Sequence, residues 1–121
     1  MRLVEKIQDQ IRKACTQASR AESSVKLLAV GKTKPWQDIV DLASLGVKDF
    51  GENYVQEAQE KIQTISQENP AVFSQINWHF IGSLQSNKAK FIPGAFSLLH
   101  SLDSESLAQK LNKAAEQKSL K

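Results

Sequence analysis

Residues 26–35 read Lys-Leu-Leu-Ala-Val-Gly-Lys-Thr-Lys-Pro, and this stretch decides the fold class. The apolar run at residues 27–30 is continuous rather than alternating, which is typical of a strand covered on both faces. Thr33 before Pro35 predicts a helix N-cap followed by proline in the first helical turn. Lys32 is therefore predicted to lie at the carboxyl end of a strand in a parallel sheet.

The rest of the chain alternates strand and helix patterns. Apolar side chains at helical spacing predict an amphipathic helix over residues 2–19. Four strand-then-helix units follow, with strands at 27–30, 47–50, 76–81 and 98–102 and helices at 36–45, 54–65, 84–91 and 105–117. This rhythm predicts an α/β fold in which right-handed crossovers build a parallel sheet.

Turn and capping residues support these boundaries. Gly46 predicts the end of the helix at 36–45, and Asp103 or Ser104 predicts the N-cap of the last helix. Residues 67–74 are predicted to form the longest loop. A chain of 121 residues is long enough for one core but hardly for two, so a single domain over residues 1–121 is predicted, with its four units at 27–118.

Composition and charge exclude several function classes. The net charge of +3 comes from 16 basic and 13 acidic side chains, which form no basic stripe with interleaved aromatics, so nucleic-acid binding is not predicted. The sequence contains no membrane-spanning apolar run and no signal-peptide core, so we expect a cytoplasmic protein without membrane contact. The single cysteine, Cys15, is expected to be buried filler, and the sequence shows no metal-ligand spacing.

Lys32 admits three interpretations. Gly31-Lys32-Thr33 matches the end of a phosphate-binding loop, but the glycine required five residues earlier is a lysine here, so this interpretation is rejected. A lysine amine is nucleophilic only when neutral, and about one part in a few thousand is neutral at pH 7. Alternation sends Lys32 to the same face as Val30, where burial beside Lys34 would favour the free amine. On spacing alone, an exposed lysine at a strand end stays an open alternative.

Three segments of the chain stand out: residues 30–35 read Val-Gly-Lys-Thr-Lys-Pro, residues 50–57 read Phe-Gly-Glu-Asn-Tyr-Val-Gln-Glu, and residues 78–88 read Trp-His-Phe-Ile-Gly-Ser-Leu-Gln-Ser-Asn-Lys. In order and spacing they resemble the signature segments of the pyridoxal phosphate homeostasis protein family. That family is similar to the N-terminal barrel domain of alanine racemase, and its lysine matching Lys32 carries pyridoxal 5′-phosphate as an internal aldimine. The family usually has a small hydroxyl residue or alanine where this chain has Gly31, so we expect a looser strand end.

The resemblance implies a cofactor site built from Lys32, Asn53, His79 and Gly82, with no catalytic residue. Asn53 follows a Phe-Gly-Glu strand end, where its carboxamide either reaches a ligand or caps the next helix. His79 is implied to contact the pyridine ring, and a structural histidine is the alternative. Gly82 is implied to let the backbone approach the ligand.

These observations favour a vitamin B6 cofactor carrier that holds pyridoxal 5′-phosphate on Lys32 as a Schiff base. A racemase-like enzyme is one alternative, and it needs a second acid/base opposite the lysine. In alanine racemase that group is a tyrosine from another domain, whereas the only tyrosine here, Tyr54, starts a helix. A cofactor-free interaction protein is the other alternative.

The number of strand-helix units sets a further expectation. A closed (β/α)8 barrel usually takes about 250 residues, so four units predict half of a TIM-like barrel. Its first and last strands would be exposed edges that pair with another chain or with a second copy. Barrels of this kind commonly bind phosphate after their seventh and eighth strands, so we expect weak cofactor binding until a complementary half is supplied.

Overall fold

The computed structural model describes residues 2–118, within which four short parallel strands form one sheet. The strands are β1 (Leu28–Val30), β2 (Asp49–Glu52), β3 (Asn77–Phe80) and β4 (Leu98–Leu99). They pair in chain order, β1 with β2, β2 with β3 and β3 with β4, and every pair is parallel. The α/β fold with a four-stranded parallel sheet is confirmed, and it corresponds to half of a TIM-like barrel.

Among residues 2–118, five α-helices accompany the sheet. They are α1 (Arg2–Gln17), α2 (Trp36–Ser44), α3 (Val55–Glu68), α4 (Pro70–Phe73) and α5 (Glu105–Gln117), and short 3-10 helices occupy Glu22–Ser24 and Ser86–Phe91. Two capping predictions are confirmed. Gly46 has a φ of 99°, the left-handed backbone expected after α2. The Ser104 hydroxyl accepts from the backbone N–H of Leu107 at 3.1 Å and caps α5.

Alternation along the strands gives the sheet two different faces. The helix face carries Phe50, Trp78 and Phe80, which lie in the buried core. The inner face carries Asp49 and His79, whose side chains contact each other. Because partners in a parallel pair point to the same side, the register of Asp49 with Asn77 and of Gly51 with His79 keeps these faces separate across the sheet.

The core lies between the helix face and the helices. The largest fully buried side chains include Phe50 and Phe80 from the sheet, Ile39 from α2, Ile65 from α3 and Leu107 from α5. Covering these side chains removes apolar area from water at about 25 cal/mol per Å², which is the main stabilising term. Cys15 is also buried, as predicted, and carries a free thiol.

Several local predictions are wrong. The helix predicted at 84–91 is a 3-10 helix at Ser86–Phe91, which ends before Pro93, a residue that has no N–H to continue it. The predicted loop at 67–74 contains the end of α3 and all of α4, which the Asn69 side chain caps by accepting from Val72. The first helix ends at Gln17 rather than residue 19, and β4 spans two residues rather than five.

Thr33 does not cap α2, which corrects a further prediction. The N-cap residue is Pro35, and no side chain caps this helix. Thr33 instead has a φ of 63°, in the left-handed region, and its backbone N–H donates to the Glu57 carboxylate. Among residues 2–118, no helix is both long enough and apolar enough to cross a membrane.

Candidate functional site

Lys32 lies in a tight turn at the carboxyl end of β1. The Gly31 N–H donates to the Gly51 carbonyl at 3.0 Å, so the strand pairing continues one residue past β1. The Lys34 N–H then donates to the Gly31 carbonyl at 3.1 Å and closes a four-residue turn. The positive φ of Thr33, the third residue, is that of a type II turn. Continued alternation from Val30 places Lys32 on the inner face.

Both lysines of this turn are exposed. The sequence-based hypothesis of a partly dry site around Lys32 is therefore not met by the described residues alone. Gly31 itself is buried, and its N–H and carbonyl are both hydrogen-bonded, so the strand end is not loose at this position. A Cβ at Gly31 would stand 2.5 Å from Oε2 of Glu52, which explains why glycine fits here.

Asn53 follows β2 and has an unsatisfied acceptor. Its Oδ1 is buried and accepts no hydrogen bond from any described residue. The capping alternative fails, because Tyr54 is the N-cap residue of α3 and no side chain caps that helix. A buried amide oxygen without a donor costs free energy, so this atom is a natural partner for a ligand hydroxyl or N–H.

Gly82 follows β3 and packs directly on Asn53. A Cβ at Gly82 would collide with the backbone carbonyl of Asn53, and Gly82 is buried. Glycine is needed here for close contact between two loops, and this contact holds Asn53 in place. The predicted approach of the Gly82 backbone to a ligand stays a prediction.

His79 is held by hydrogen bonds at both ring nitrogens. Nε2 lies 2.9 Å from Oδ1 of Asp49, and Nδ1 lies 3.0 Å from Nε2 of His100. The two imidazole rings lie 5.3 Å apart between centroids and are tilted by 53°. Asn77 also donates to Asp49 at 3.4 Å. A ligand that keeps this arrangement would contact the face of the His79 ring.

The register relates these residues to Lys32. His79 shares a row of the sheet with Val30, which lies two residues before Lys32, and Asn53 directly follows β2, the strand between them. With about 4.8 Å between neighbouring strands, the Val30 and His79 Cα atoms lie roughly 10 Å apart.

A charged cluster lies on the helix side of the same strand ends. The buried Lys61 Nζ donates to Oε1 of Glu52 at 3.0 Å, to Oε1 of Glu57 at 2.8 Å and to the Gly31 carbonyl. Burial raises the pKa of Glu52 above its usual 4.5, and the hydrogen bond from Lys61 only partly offsets this effect. The hydrogen bond from Lys61 lowers the pKa of Glu57, and the Thr33 N–H adds to that effect.

Sequence reasoning missed Asp49, His100, Glu57 and Lys61. Glu57 and Lys61 are spaced i and i+4 on α3, a known pairing distance, and this signal was available. The contacts of Asp49 and His100 with His79 depend on the strand register, which no local pattern specifies. Within residues 2–118, no group of three or more His, Cys, Asp or Glu side chains is arranged to hold a metal ion.

Comparison with known proteins identifies similar chains. The pyridoxal phosphate homeostasis proteins of Pasteurella multocida and Vibrio cholerae are 50% and 43% identical over 106 and 109 residues, which are 88% and 90% of this chain. The protein of that name from Aquifex aeolicus is 39% identical over 110 residues. These matches cover 44%, 45% and 46% of the relatives, so the chain spans about half their length. No family model matches the chain.

Solved structures agree with these matches. PipY of Synechococcus elongatus, solved with PLP bound, is 34% identical, with a TM-score of 0.73. The alignment covers 90% of this chain and 49% of PipY. An unknown protein from Bifidobacterium adolescentis is 32% identical with a TM-score of 0.84, covering 96% of this chain and 49% of that protein. The shared fold therefore extends over nearly all of this chain.

Proposed function

The chain belongs to the pyridoxal phosphate homeostasis protein family, and we propose that it carries pyridoxal 5′-phosphate as a Schiff base on Lys32. One observation supports this proposal most strongly. Lys32 lies just past the carboxyl end of β1, and Asn53, whose buried Oδ1 lacks a donor among the described residues, lies just past the carboxyl end of the neighbouring strand β2. Parallel sheets bind ligands at this end of their strands. PipY, solved with PLP bound, has the same fold over this part of the chain.

The side chains at this edge suit the cofactor. The cofactor would supply an aldehyde that reacts reversibly with amines. The neutral Lys32 amine adds to the aldehyde carbon, a C=N bond forms and the oxygen leaves as water; hydrolysis reverses the step. Asn53 Oδ1 accepts a hydrogen bond from the ligand, and His79 contacts its ring. Gly82 belongs to the proposed site because its packing holds Asn53 in place.

The proposed role is that of a carrier rather than an enzyme. Reversible bonding to Lys32 buffers a reactive aldehyde and releases it intact. Tyr54, the only tyrosine in the sequence, is exposed at the start of α3, so it offers no placed acid/base partner for racemisation. The curated relatives are named as homeostasis proteins, which fits a carrier. We propose that the carrier acts in the cytoplasm.

Borohydride trapping tests the proposal. The purified chain is incubated with pyridoxal 5′-phosphate, reduced and digested, and the pyridoxyl group is located by mass spectrometry. An adduct at Lys32 is expected. An adduct mainly at another lysine would contradict the assignment of Lys32, and the absence of any adduct would favour a cofactor-free interaction protein. Conversion of added L-alanine to its D enantiomer would favour the racemase-like enzyme.

The proposal includes a requirement for a complementary half-barrel. β1 and β4 are the outer strands of the described sheet, and Val30 and Leu98 on the inner face are 49% and 52% exposed. A longer chain, a second polypeptide or a second copy would cover this face and supply a phosphate site. We expect the 121-residue chain alone to bind weakly, with little preference for pyridoxal 5′-phosphate over pyridoxal.

Titration with both aldehydes, with the molecular mass measured by light scattering, tests this requirement. Similar weak affinities for a monomer are expected, with tighter binding in any self-associated form. Tight binding by a monomer that depends strongly on the phosphate group would contradict the requirement. It would point to an anion site at the backbone after Gly82.

A further inference from the structure

The turn that presents Lys32 contains an unfavourable backbone conformation. Thr33 has a φ of 63°, and β-branched residues rarely adopt the left-handed region. The turn closes through one backbone hydrogen bond, from Lys34 to Gly31. Such a conformation persists only where surrounding contacts stabilise it. Those contacts are therefore the place to look for control over Lys32.

The contacts come from the helix side of the sheet. Oε1 of Glu57 accepts from the Thr33 N–H at 2.7 Å and from Lys61 Nζ at 2.8 Å. Lys61 also donates to the Gly31 carbonyl and to Glu52, and its side chain is buried. The first and third residues of the turn are thus tied to α3, and the residue between them, Lys32, is left exposed.

We propose that Glu57 and Lys61 are positioning residues for Lys32, holding its turn in the conformation that presents the amine on the inner face. This inference rests on the proposed function for its effect on cofactor binding. Neither residue contacts the inner face, so the pair acts through the backbone of the turn. We call the Glu57–Lys61 pair with its contacts to Gly31 and Thr33 the turn clamp.

The charges favour a specific clamp over a chance surface pair. Burying an ammonium group removes its hydration, which is strongly unfavourable unless the group is paired and hydrogen-bonded. Lys61 has two carboxylates and one carbonyl as partners. Glu57 shares one oxygen between the lysine and the Thr33 N–H. Hydrogen bonds to charged groups are the stronger kind, so the Thr33 N–H gains a strong acceptor.

Amide hydrogen exchange tests the clamp directly. The variant Glu57→Ala removes the acceptor of Thr33, and Glu60→Ala changes an exposed glutamate one turn away on the same helix. We expect the Thr33 and Lys34 amides to lose at least tenfold protection in Glu57→Ala and to stay unchanged in Glu60→Ala. Protection of the Phe50 amide in β2 reports that the sheet stays intact. Unchanged protection at Thr33 in Glu57→Ala would overturn the proposal.

Cofactor affinity tests the positioning role. We expect the apparent dissociation constant for pyridoxal 5′-phosphate to rise at least fivefold in Glu57→Ala, with Lys32 still the trapped residue. A weakened turn with unchanged affinity would reduce the clamp to a structural role and overturn the proposal. If the wild-type chain forms no adduct at Lys32, the proposed function fails, and hydrogen exchange alone decides whether the clamp holds the turn.

Thr33→Gly provides the complementary variant. Glycine adopts a positive φ without steric cost, so the turn needs less support. We expect Glu57→Ala to reduce affinity less in the Thr33→Gly background than in the wild type. Equal losses in the two backgrounds would show that Glu57 does not act through the conformation of Thr33, which overturns the proposed mechanism.

Discussion

The side chains on the two faces of the sheet differ in burial and in polarity. On the helix face, Phe50 and Phe80 are 0% and 1% exposed. On the inner face, Val30 and Leu98 remain about half exposed, and the polar residues Asp49 and His79 lie between them. The helix face therefore supplies the stability of the described fold, whereas the inner face carries residues of the proposed cofactor site.

This difference separates two kinds of substitution. A change on the helix face acts on folding because it opens a cavity in a packed core. A change on the inner face is expected to act on the proposed ligand binding, because Val30 and Leu98 there are about half exposed. The turn after β1 connects the two, since its backbone is held from the helix side while Lys32 lies on the inner side.

Loss of the Lys32 amine is expected to have the largest effect. Lys32→Ala should abolish the visible Schiff-base absorbance on addition of pyridoxal 5′-phosphate, because the proposed point of attachment is lost. Lys34→Ala is the matched control in the same turn and should keep most of the absorbance. Full absorbance in a Lys32→Ala protein that is folded by circular dichroism would show that another lysine reacts.

Truncating a side chain on the helix face should lower stability much more than truncating one on the inner face. Phe80→Ala should lower the free energy of unfolding by about 3–5 kcal/mol, because it removes a fully buried ring that packs edge-on against Phe96. Val30→Ala on the half-exposed inner face should cost less than about 1 kcal/mol. Denaturant unfolding measures both values. Equal losses would mean that the inner face is covered in solution.

Glu52 should make stability depend on pH in a definite direction. Its pKa is raised in the folded chain, so the fold binds its proton more tightly than the unfolded chain does. The free energy of unfolding should therefore fall as pH rises from 4.5 through the raised pKa. Glu52→Gln should remove this decline, whereas Glu60→Gln should keep it. Unfolding measured at pH 5 and pH 7 compares the variants, and an unaltered decline in Glu52→Gln would contradict the assignment.

Glu57 should make stability depend on pH in the opposite direction, and at lower pH than Glu52. Its pKa is lowered, so its contribution to stability is present above 4.5 and is lost as pH falls through the lowered value. The two carboxyl groups of one cluster thus affect different pH ranges. Replacing Glu57 should change the acid limb of the stability profile and leave the decline above pH 4.5 in place.

The smallest expected effect concerns His79. His79→Ala should weaken pyridoxal 5′-phosphate binding by about 1 kcal/mol, or several-fold, since one ring contact is lost. The matched control is His100→Ala, which removes the Nδ1 partner of His79 and leaves the His79 ring in place. Unchanged affinity in a folded His79→Ala protein would assign this histidine a structural role only.

Local patterns correctly predict those helices and strands whose sequence signals are long or strong. The helix at 105–117 matches α5, and its Ser104 cap is confirmed. The errors fall where a pattern was short or ambiguous. The pattern around Asn69-Pro70 predicts a loop where a helix begins, and Thr33 predicts a cap where a turn precedes the helix. These errors moved boundaries without changing the α/β fold.

The candidate site was predictable only in part. Motif resemblance singled out Lys32, Asn53, His79 and Gly82, and strand parity placed His79 on the face of Asn77 and Ile81. The inner-face contact of Asp49 with His79 agrees with that parity. The structural requirement for glycine at position 82 was not predictable, because its close contact with Asn53 joins the loops that follow two different strands.

The sequence by itself determined the strand-helix rhythm, the family of the chain and the identity of the lysine that ends the first strand. These properties depend on residue type and spacing along the chain, which sequence records directly. Only the tertiary structure decided that Lys61 contacts Gly31, that Glu57 supports Thr33 and that His79 bridges Asp49 and His100. Such contacts join residues more than 20 positions apart, and they exist only once strand register and helix packing bring those residues within hydrogen-bonding distance.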